Sequence, residues 1–195
     1  MSPGNLRSNE LVRKAIHISS SIIPLAYWFT FDRGTILRVV LILSLGFLTA
    51  EYLRMHSNIF KDVFLKLFGP ALRSHEKHKL TGATYVFTGA AVCIFLFPKE
   101  IAVPSLLILS ISDTFAALVG IPFGKHKFLD KSMEGSLAFF IFTIGILTLF
   151  FPQALLVNLV IALAVTLAEA FPMNLDDNFL IPILSGILLS LASSI

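Results

Sequence analysis

Polar residues are what this chain has least of. Only 14% of its 195 residues are charged and 56% are hydrophobic. A soluble domain of this size needs far more polar surface to cover itself, so a water-soluble globule is excluded. Cysteine is nearly absent: the single residue, Cys93, lies inside an apolar stretch. That excludes a disulfide framework and a zinc signature, and Cys93 reads as a small buried or lipid-facing side chain. Internal repeats and low-complexity segments are also lacking. No small-residue cleavage site follows the first apolar run, which therefore reads as a retained helix. The net charge is +3. The basic residues sit in loops between apolar runs, so orientation in a bilayer accounts for them and no nucleic-acid partner is expected.

What is present is apolar sequence of spanning length, at 10–30, 34–53, 80–98, 101–121, 133–151, 153–171 and 179–195. The expected fold is all-α, a polytopic bundle of about seven transmembrane helices forming one integral-membrane domain over residues 1–195. Pro98, Pro152 and Pro172 fall where reversals are expected, and Pro104 and Pro182 fall early in their helices, where proline costs little. The first run opens with Glu10, Arg13, Lys14 and His17, and the last ends in Ser193 and Ser194. These two are the weakest spans.

Seven spans put the N-terminus and the second, fourth and sixth connections on one side. That side holds twelve basic residues: Arg7, Arg13, Lys14, Arg54, Lys61, Lys66, Arg73, Lys77, Lys79, Lys125, Lys127 and Lys131. The other holds three, Arg33, Arg38 and Lys99. The asymmetry predicts a multi-pass protein of the cell membrane with a cytoplasmic N-terminus and the C-terminus on the opposite side. Trp28 and Tyr27 read as an interface belt on that far side. Within the long connection, Ile59, Phe60, Val63, Phe64, Leu67 and Phe68 repeat at helical spacing opposite Lys61, Asp62 and Lys66, until Gly69 and Pro70 stop the pattern. This is an amphipathic helix, lying in the cytoplasmic interface or packed on the ends of the bundle.

Carboxylates inside membrane helices are costly and mark function. Asp113, Glu134, Glu169, Asp176 and Asp177 all fall toward the cytoplasmic face, with Asn178 beside the last two and Glu51 ending the second span. Asp32 and Glu100 are the acids of the other face. Asp113, Ala116, Ala117, Gly120 and Gly124 follow steps of three or four, forming a small-residue stripe on a helix. Such a stripe admits either a neighbouring helix or a ligand's phosphates. Gly120 and Gly124 bracket a loop leading to Lys125, His126 and Lys127, and Lys131-Ser132-Met133-Glu134-Gly135-Ser136 opens the next helix, whose free N–H groups favour an anion. Together these suit a polyphosphate, and the carboxylates suit the Mg²⁺ that accompanies it. His75 and His78 flank Glu76 in a basic run and read as surface residues or phosphate contacts. His17 enters an apolar helix, where a hydrogen bond across helices is its expected role. Lys79-Leu80-Thr81-Gly82 opens the third span with small polar residues that suit packing or an edge of the site.

These segments resemble a known family. Glu10-Leu-Val-Arg13-Lys14-Ala-Ile-His17 is similar to the opening E-x-x-R-K-x-x-H of the CTP-dependent polyprenol, dolichol and phytol kinases, a family that includes CTP-dependent diacylglycerol kinases. Leu80-Thr81-Gly82-Ala83-Thr84-Tyr85 resembles its third block. Asp113 through Gly120 to Gly124 and Lys125 resembles its D-x-x-A-x-x-x-G-x-x-x-G helix and loop. Lys131 to Ser136 is similar to the K-[ST]-x-E-G-[ST] element assigned there to CTP binding, and Glu169 with Asp176-Asp177-Asn178 resembles its late block. The resemblance implies transfer of the γ-phosphoryl of CTP to the hydroxyl of a membrane lipid alcohol of polyprenol, dolichol, phytol or geranylgeraniol type, giving CDP and a lipid phosphate.

On phosphoryl-transfer logic, Asp113, Lys131 and Glu134 are the expected catalytic residues. Asp113, Asp176 and Asp177 are the expected Mg²⁺ ligands. Gly120, Gly124, Lys125, Lys127, Ser132 and Gly135 are expected to bind the nucleotide, and Arg13, Lys14, His17, Lys79, Thr81, Glu169 and Asn178 to support the site. Glu134 is either a metal ligand or the base for the alcohol. Two rival functions are a cytidylyltransferase that makes a CDP-linked lipid and a small carrier without nucleotide chemistry. The oligomeric state is left open.

Overall fold

The computed structural model describes residues 3–69, 72, 76, 79–172 and 175–193. His75, His78, Arg73, Lys77 and Ser194 therefore lie outside the described residues. Among the described residues the fold is all-α apart from one hairpin of two-residue strands. Its helices are α1 (Pro3–Ser19), α2 (Ile22–Phe29), α3 (Arg33–His56), α4 (Asn58–Phe68), α5 (Gly82–Leu96), α6 (Lys99–Leu107), α7 (Asp113–Phe123), α8 (Met133–Phe150), α9 (Leu155–Ala170) and α10 (Asp177–Ser193). The strands β1 (Lys127–Phe128) and β2 (Lys131–Ser132) precede α8. Helices suit so apolar a chain because each bonds its own backbone groups internally.

The expected first span, 10–30, is two helices instead of one. Pro24 has no N–H to give to Ser20, and its ring crowds that carbonyl. The chain closes α1 with turns there, Ser20 N bonding His17 O at 3.1 Å and Ser21 N bonding Ile18 O at 3.0 Å. Asp32 then caps α3, accepting from Thr35 N at 3.0 Å. Lys99–Phe123 runs as one rod of 25 residues, in which a π-helical turn at Ile108–Ser112 joins α6 to α7. Such turns shift the register of the helix that follows, and here that helix begins with Asp113.

Among the described residues, three helices are long and apolar enough to cross a membrane: Arg33–His56, Lys99–Phe123 and Met133–Phe150. The apolar helices α5, α9 and α10 have 15, 16 and 17 residues. At about 1.5 Å per residue these rise roughly 22–26 Å, less than a hydrocarbon core of about 30 Å.

The core runs through the middle of the bundle, where Ile94, Val103, Ile108, Phe139, Leu147, Val165 and Ile181 are all fully buried. Large apolar side chains also cover the outside. On α9, Leu156, Val160, Leu163 and Leu167 are exposed in a line at helical spacing. A patch this continuous would drive a soluble protein to aggregate. Helix α4 forms over the segment with the amphipathic pattern and buries none of its side chains. Ile59, Val63 and Leu67 stay exposed on one face.

Candidate active site

Four parts of the chain meet around one cavity of about 550 Å³, a volume usual for small-ligand sites. Helix α1 supplies Glu10, Arg13 and Lys14, and α7 supplies Asp113, Ala116, Ala117, Gly120 and Ile121. The hairpin and the start of α8 add Asp130, Lys131, Ser132 and Gly135, and the end of α9 adds Glu169.

Asp113 forms the floor. It is buried in a membrane helix, a position tolerated only with a cationic partner. Lys14, three residues before His17 and so on the same face of α1, makes a buried ion pair with Asp113 Oδ2. His17 Nε2 stands 3.1 Å from the same oxygen and 3.0 Å from Leu109 O. Both partners are acceptors, so Nε2 carries the hydrogen. Glu10 and Arg13 form a second ion pair on α1, one turn nearer the N-terminus.

The hairpin forms the other wall. Its register pairs Lys127 with Ser132 and Phe128 with Lys131. Leu129, at the turn, has φ of 52°, a left-handed value uncommon for a branched side chain. Asp130 N bonds Ala170 O at 3.2 Å, docking the turn on the end of α9. That contact aims Lys131 inward, with Nζ 3.0 Å from Glu169 Oε1 and 2.9 Å from Asp177 Oδ2. Burial alone would lower the Lys131 pKa. The two carboxylates outweigh that effect and hold it above the usual lysine value, so the ammonium stays charged. Glu169 is 2% exposed, and its Oε2 has no hydrogen-bond partner among the described residues. Leaving such an oxygen bare costs about 1–3 kcal/mol, which makes it an acceptor waiting for a ligand.

The glycines act mainly through packing. A Cβ on Gly120 would lie 2.9 Å from Ser132 Oγ, and one on Gly135 would lie 3.0 Å from Ala116 O. Gly124 is closed in by Gly120 O and by Ser132. Their absent side chains let α7 and α8 touch. The N–H groups expected to cradle phosphates are already engaged. Gly124 N bonds Gly120 O at 2.9 Å, and Gly135 N bonds the capping hydroxyl of Ser132 at 3.2 Å.

The residues expected from sequence divide into three groups. Asp113, Lys131, Gly120, Ser132, Gly135, Arg13, Lys14 and Glu169 line the cavity, and His17 supports Asp113 from behind. Gly124, Lys125, Lys127 and Glu134 do not line it. Lys125 and Lys127 are exposed, and Glu134 bonds the exposed His126 ring at 2.8 Å. Thr81, Lys79 and Asn178 belong to a second polar cluster. Buried Arg54 pairs there with Glu51 and donates to the carbonyls of Glu76, at 3.0 Å, and Lys79, at 2.6 Å. Glu51 Oε1 accepts from Thr81 N at 2.9 Å, and Asn178 Nδ2 reaches Gly82 O at 3.4 Å.

The expected metal triad is not assembled. Asp113 is held by Lys14 and His17, Asp177 by Lys131, and Asp176 Oδ1 accepts from Asn178 N at 3.0 Å. Among the described residues no three His, Cys, Asp or Glu groups come together as a metal site. A Mg²⁺ that arrives on a nucleotide needs less, one or two carboxylates beside the phosphates. Asp113 meets that need, since its ion pairs use Oδ2 and Oδ1 has no partner among the described residues.

No family model matches the chain, and no solved structure matches it. Among curated proteins, the CTP-dependent diacylglycerol kinase 1 of Schizosaccharomyces pombe is 29% identical, over 95% of this chain and 94% of its own. An uncharacterized protein of Rickettsia prowazekii is 30% identical, over 89% of this chain and 90% of its own. A probable chloroplastic phytol kinase of Glycine max is 25% identical, over 91% of this chain and 64% of its own. The chain belongs to the CTP-dependent polyprenol and phytol kinase family, which also holds CTP-dependent diacylglycerol kinases.

Proposed function

We propose that the protein is a CTP-dependent lipid kinase that moves the γ-phosphoryl group of CTP onto the hydroxyl of a membrane lipid alcohol, of prenyl, phytyl or diacylglycerol type. The observation that carries this reading is one cavity lined by both Lys131 and Lys14, each paired with a buried carboxylate. Kinship with proteins named CTP-dependent diacylglycerol kinase and phytol kinase supports the donor and the acceptor class.

The mechanism follows from donor geometry. An ammonium has three N–H groups. Lys131 uses two, on Glu169 and Asp177, and as a lining residue of the cavity keeps the third for a ligand there. Lys14 spends its donors on the Asp113 carboxylate and, at 3.3 Å, on the Asp113 carbonyl, which leaves one free. The two ammonium groups then hold the polyphosphate within one cavity, and positioning with charge neutralisation is most of what phosphoryl transfer requires. Mg²⁺ held by the phosphates and Asp113 would add charge neutralisation to the same oxygens. Ile121 lines the cavity and is 40% exposed, which gives a lipid an apolar way in.

Seven membrane crossings, a cytoplasmic cavity and an α4 that lies in the inner interface complete the proposal. The twelve-to-three division of basic residues supports the orientation. The exposed face of Ile59, Val63 and Leu67 supports the interfacial helix.

The test is incubation of purified protein with γ-labelled CTP, Mg²⁺ and a panel of diacylglycerol, phytol, geranylgeraniol and dolichol. Label in a lipid phosphate, with release of CDP, is the expected result. Pyrophosphate release with cytidine left on the lipid would instead mean a cytidylyltransferase. Solute flux through protein-containing vesicles without nucleotide use would mean a carrier.

A further inference from the structure

We propose that Glu169 is the catalytic base, its Oε2 taking the proton from the acceptor hydroxyl; this rests on the kinase reading above. Four buried side-chain oxygens lack a partner among the described residues, on Ser136, Thr148, Glu169 and Ser185. Glu169 alone among them is a carboxylate, and it alone lines the cavity.

The other carboxylates of the cavity are engaged or solvated. Glu10 pairs with Arg13, Asp113 pairs with Lys14 and His17, and Asp130 is exposed at the turn of the hairpin. Glu134, the other acid considered for this role, is outside the cavity and bonded to His126. Asp113 also keeps one oxygen bare, but its other oxygen is held by two groups, Lys14 and His17, and the bare one is the oxygen offered to Mg²⁺ above. Glu169 is held by Lys131 on one oxygen and keeps the other for the hydroxyl. Oε1 is anchored 3.0 Å from Lys131 Nζ, which sets the plane of the carboxylate and leaves Oε2 without a protein donor. The ammonium that anchors Glu169 is also the one that meets the phosphates, so the base and the phosphoryl group are brought together by one side chain.

The step balances without any further reactant. The lipid oxygen forms a bond to the γ-phosphorus as the bond from that phosphorus to the β–γ bridging oxygen breaks. The hydroxyl proton passes to Glu169 Oε2, and CDP leaves with the bridging electrons. After product release Glu169 gives the proton up to solvent.

The experiment compares wild type with Glu169→Gln, which keeps the shape of the side chain and an acceptor for Lys131. Two acceptors are used, an ordinary prenyl alcohol and one acidified by fluorine beside the hydroxyl. With the ordinary alcohol, kcat is expected to fall about 10²-fold or more, the usual worth of a general base. KM for CTP should stay within about threefold. With the fluorinated alcohol the loss should shrink below about tenfold, because a more acidic hydroxyl needs less help. An equal loss with both acceptors would mean that Glu169 only positions Lys131, and a near-wild-type rate would remove it from the chemistry; either overturns the proposal. If Glu169→Gln does not fold, Glu169→Asp, which displaces the carboxylate by one methylene, is judged by the same contrast between acceptors. Wild type that transfers label to no alcohol would remove the kinase reading as well, whereas active wild type with an unimpaired variant removes only the role of Glu169.

Discussion

Lys131 Nζ stands 2.9 Å from Asp177 Oδ2 and 3.0 Å from Glu169 Oε1, so one ammonium ties the hairpin to the last two helices. These carboxylates raise the Lys131 pKa above its unfolded value despite burial. A raised lysine contributes stability fully below the unfolded pKa and loses it only as pH climbs through the folded one. The difference in melting temperature between wild type and Lys131→Met should therefore stay constant from about pH 7 to about pH 9 and narrow only in stronger alkali. Thermal scans in detergent measure it, and a gap that closes within that range would contradict the pairing. The same variant should lose about 10²-fold or more of kcat, since a charge aimed at the phosphates is gone.

Lys14 and Asp113 make the opposite kind of pair, buried in the bundle and joined across 99 positions of sequence. Removing one partner strands the other, which typically costs about 3–5 kcal/mol. Lys14→Met should unfold well below wild type in a thermal scan. The double variant Lys14→Met with Asp113→Leu should regain most of that loss and still transfer no phosphate. A double variant no more stable than the single one would show that the ion pair does not set the cost.

The close approach of α7 to α8 gives a steric prediction. Alanine at Gly124 would meet Ser132 Cβ at 2.7 Å and the Gly120 carbonyl closer still, and alanine at Gly135 would press on Ala116 O. Backbone atoms cannot swing aside, so each change should destabilise by about 1–3 kcal/mol. Gly46 and Gly145 have nothing within 4 Å of a new Cβ. Alanine at either should be neutral or stabilise by up to about 1 kcal/mol through helix propensity. Melting temperatures of the four variants decide it, and indistinguishable values would refute the packing account.

The limits of sequence reading here follow from which forces are local. Helix positions were legible because spanning length and hydropathy act residue by residue: 101–121 is found as Lys99–Phe123, and 133–151 as Met133–Phe150. Asp113 and Lys131 stood out because a charge in or beside an apolar segment needs a reason. Lys14, His17, Glu169 and Asp177 were all expected at or beside the site, but nothing in the sequence pairs the first two with Asp113 or the last two with Lys131. Arg54 counted as one more solvated cation. It is 2% exposed, and only its spacing from Glu51, three residues earlier, hinted at a buried pair. The hairpin strands are two residues each, too short to show a period. The glycine N–H groups looked available for phosphate because a sequence does not display the Ser132 cap that occupies one of them.

Glu134 offers a direct test of geometry against motif. It lies within the Lys131–Ser136 segment, but its carboxylate faces His126, outside the cavity. Glu134→Gln should lower kcat by less than about tenfold, far below the general-base range. Initial rates with saturating CTP settle the matter. A loss as deep as that of Glu169→Gln would mean that the hairpin rearranges to bring Glu134 to the substrate.

Orientation can be read one span at a time because the lone thiol, Cys93, is fully buried and silent to polar reagents. Lys127 and Gln153 are both exposed and lie at opposite ends of α8. A membrane-impermeant maleimide should label Gln153→Cys in intact cells and Lys127→Cys only in inverted vesicles. The inverse pattern would contradict the orientation drawn from basic residues. Labelling of both from the same side would mean that α8, at 18 residues, does not cross the bilayer at all.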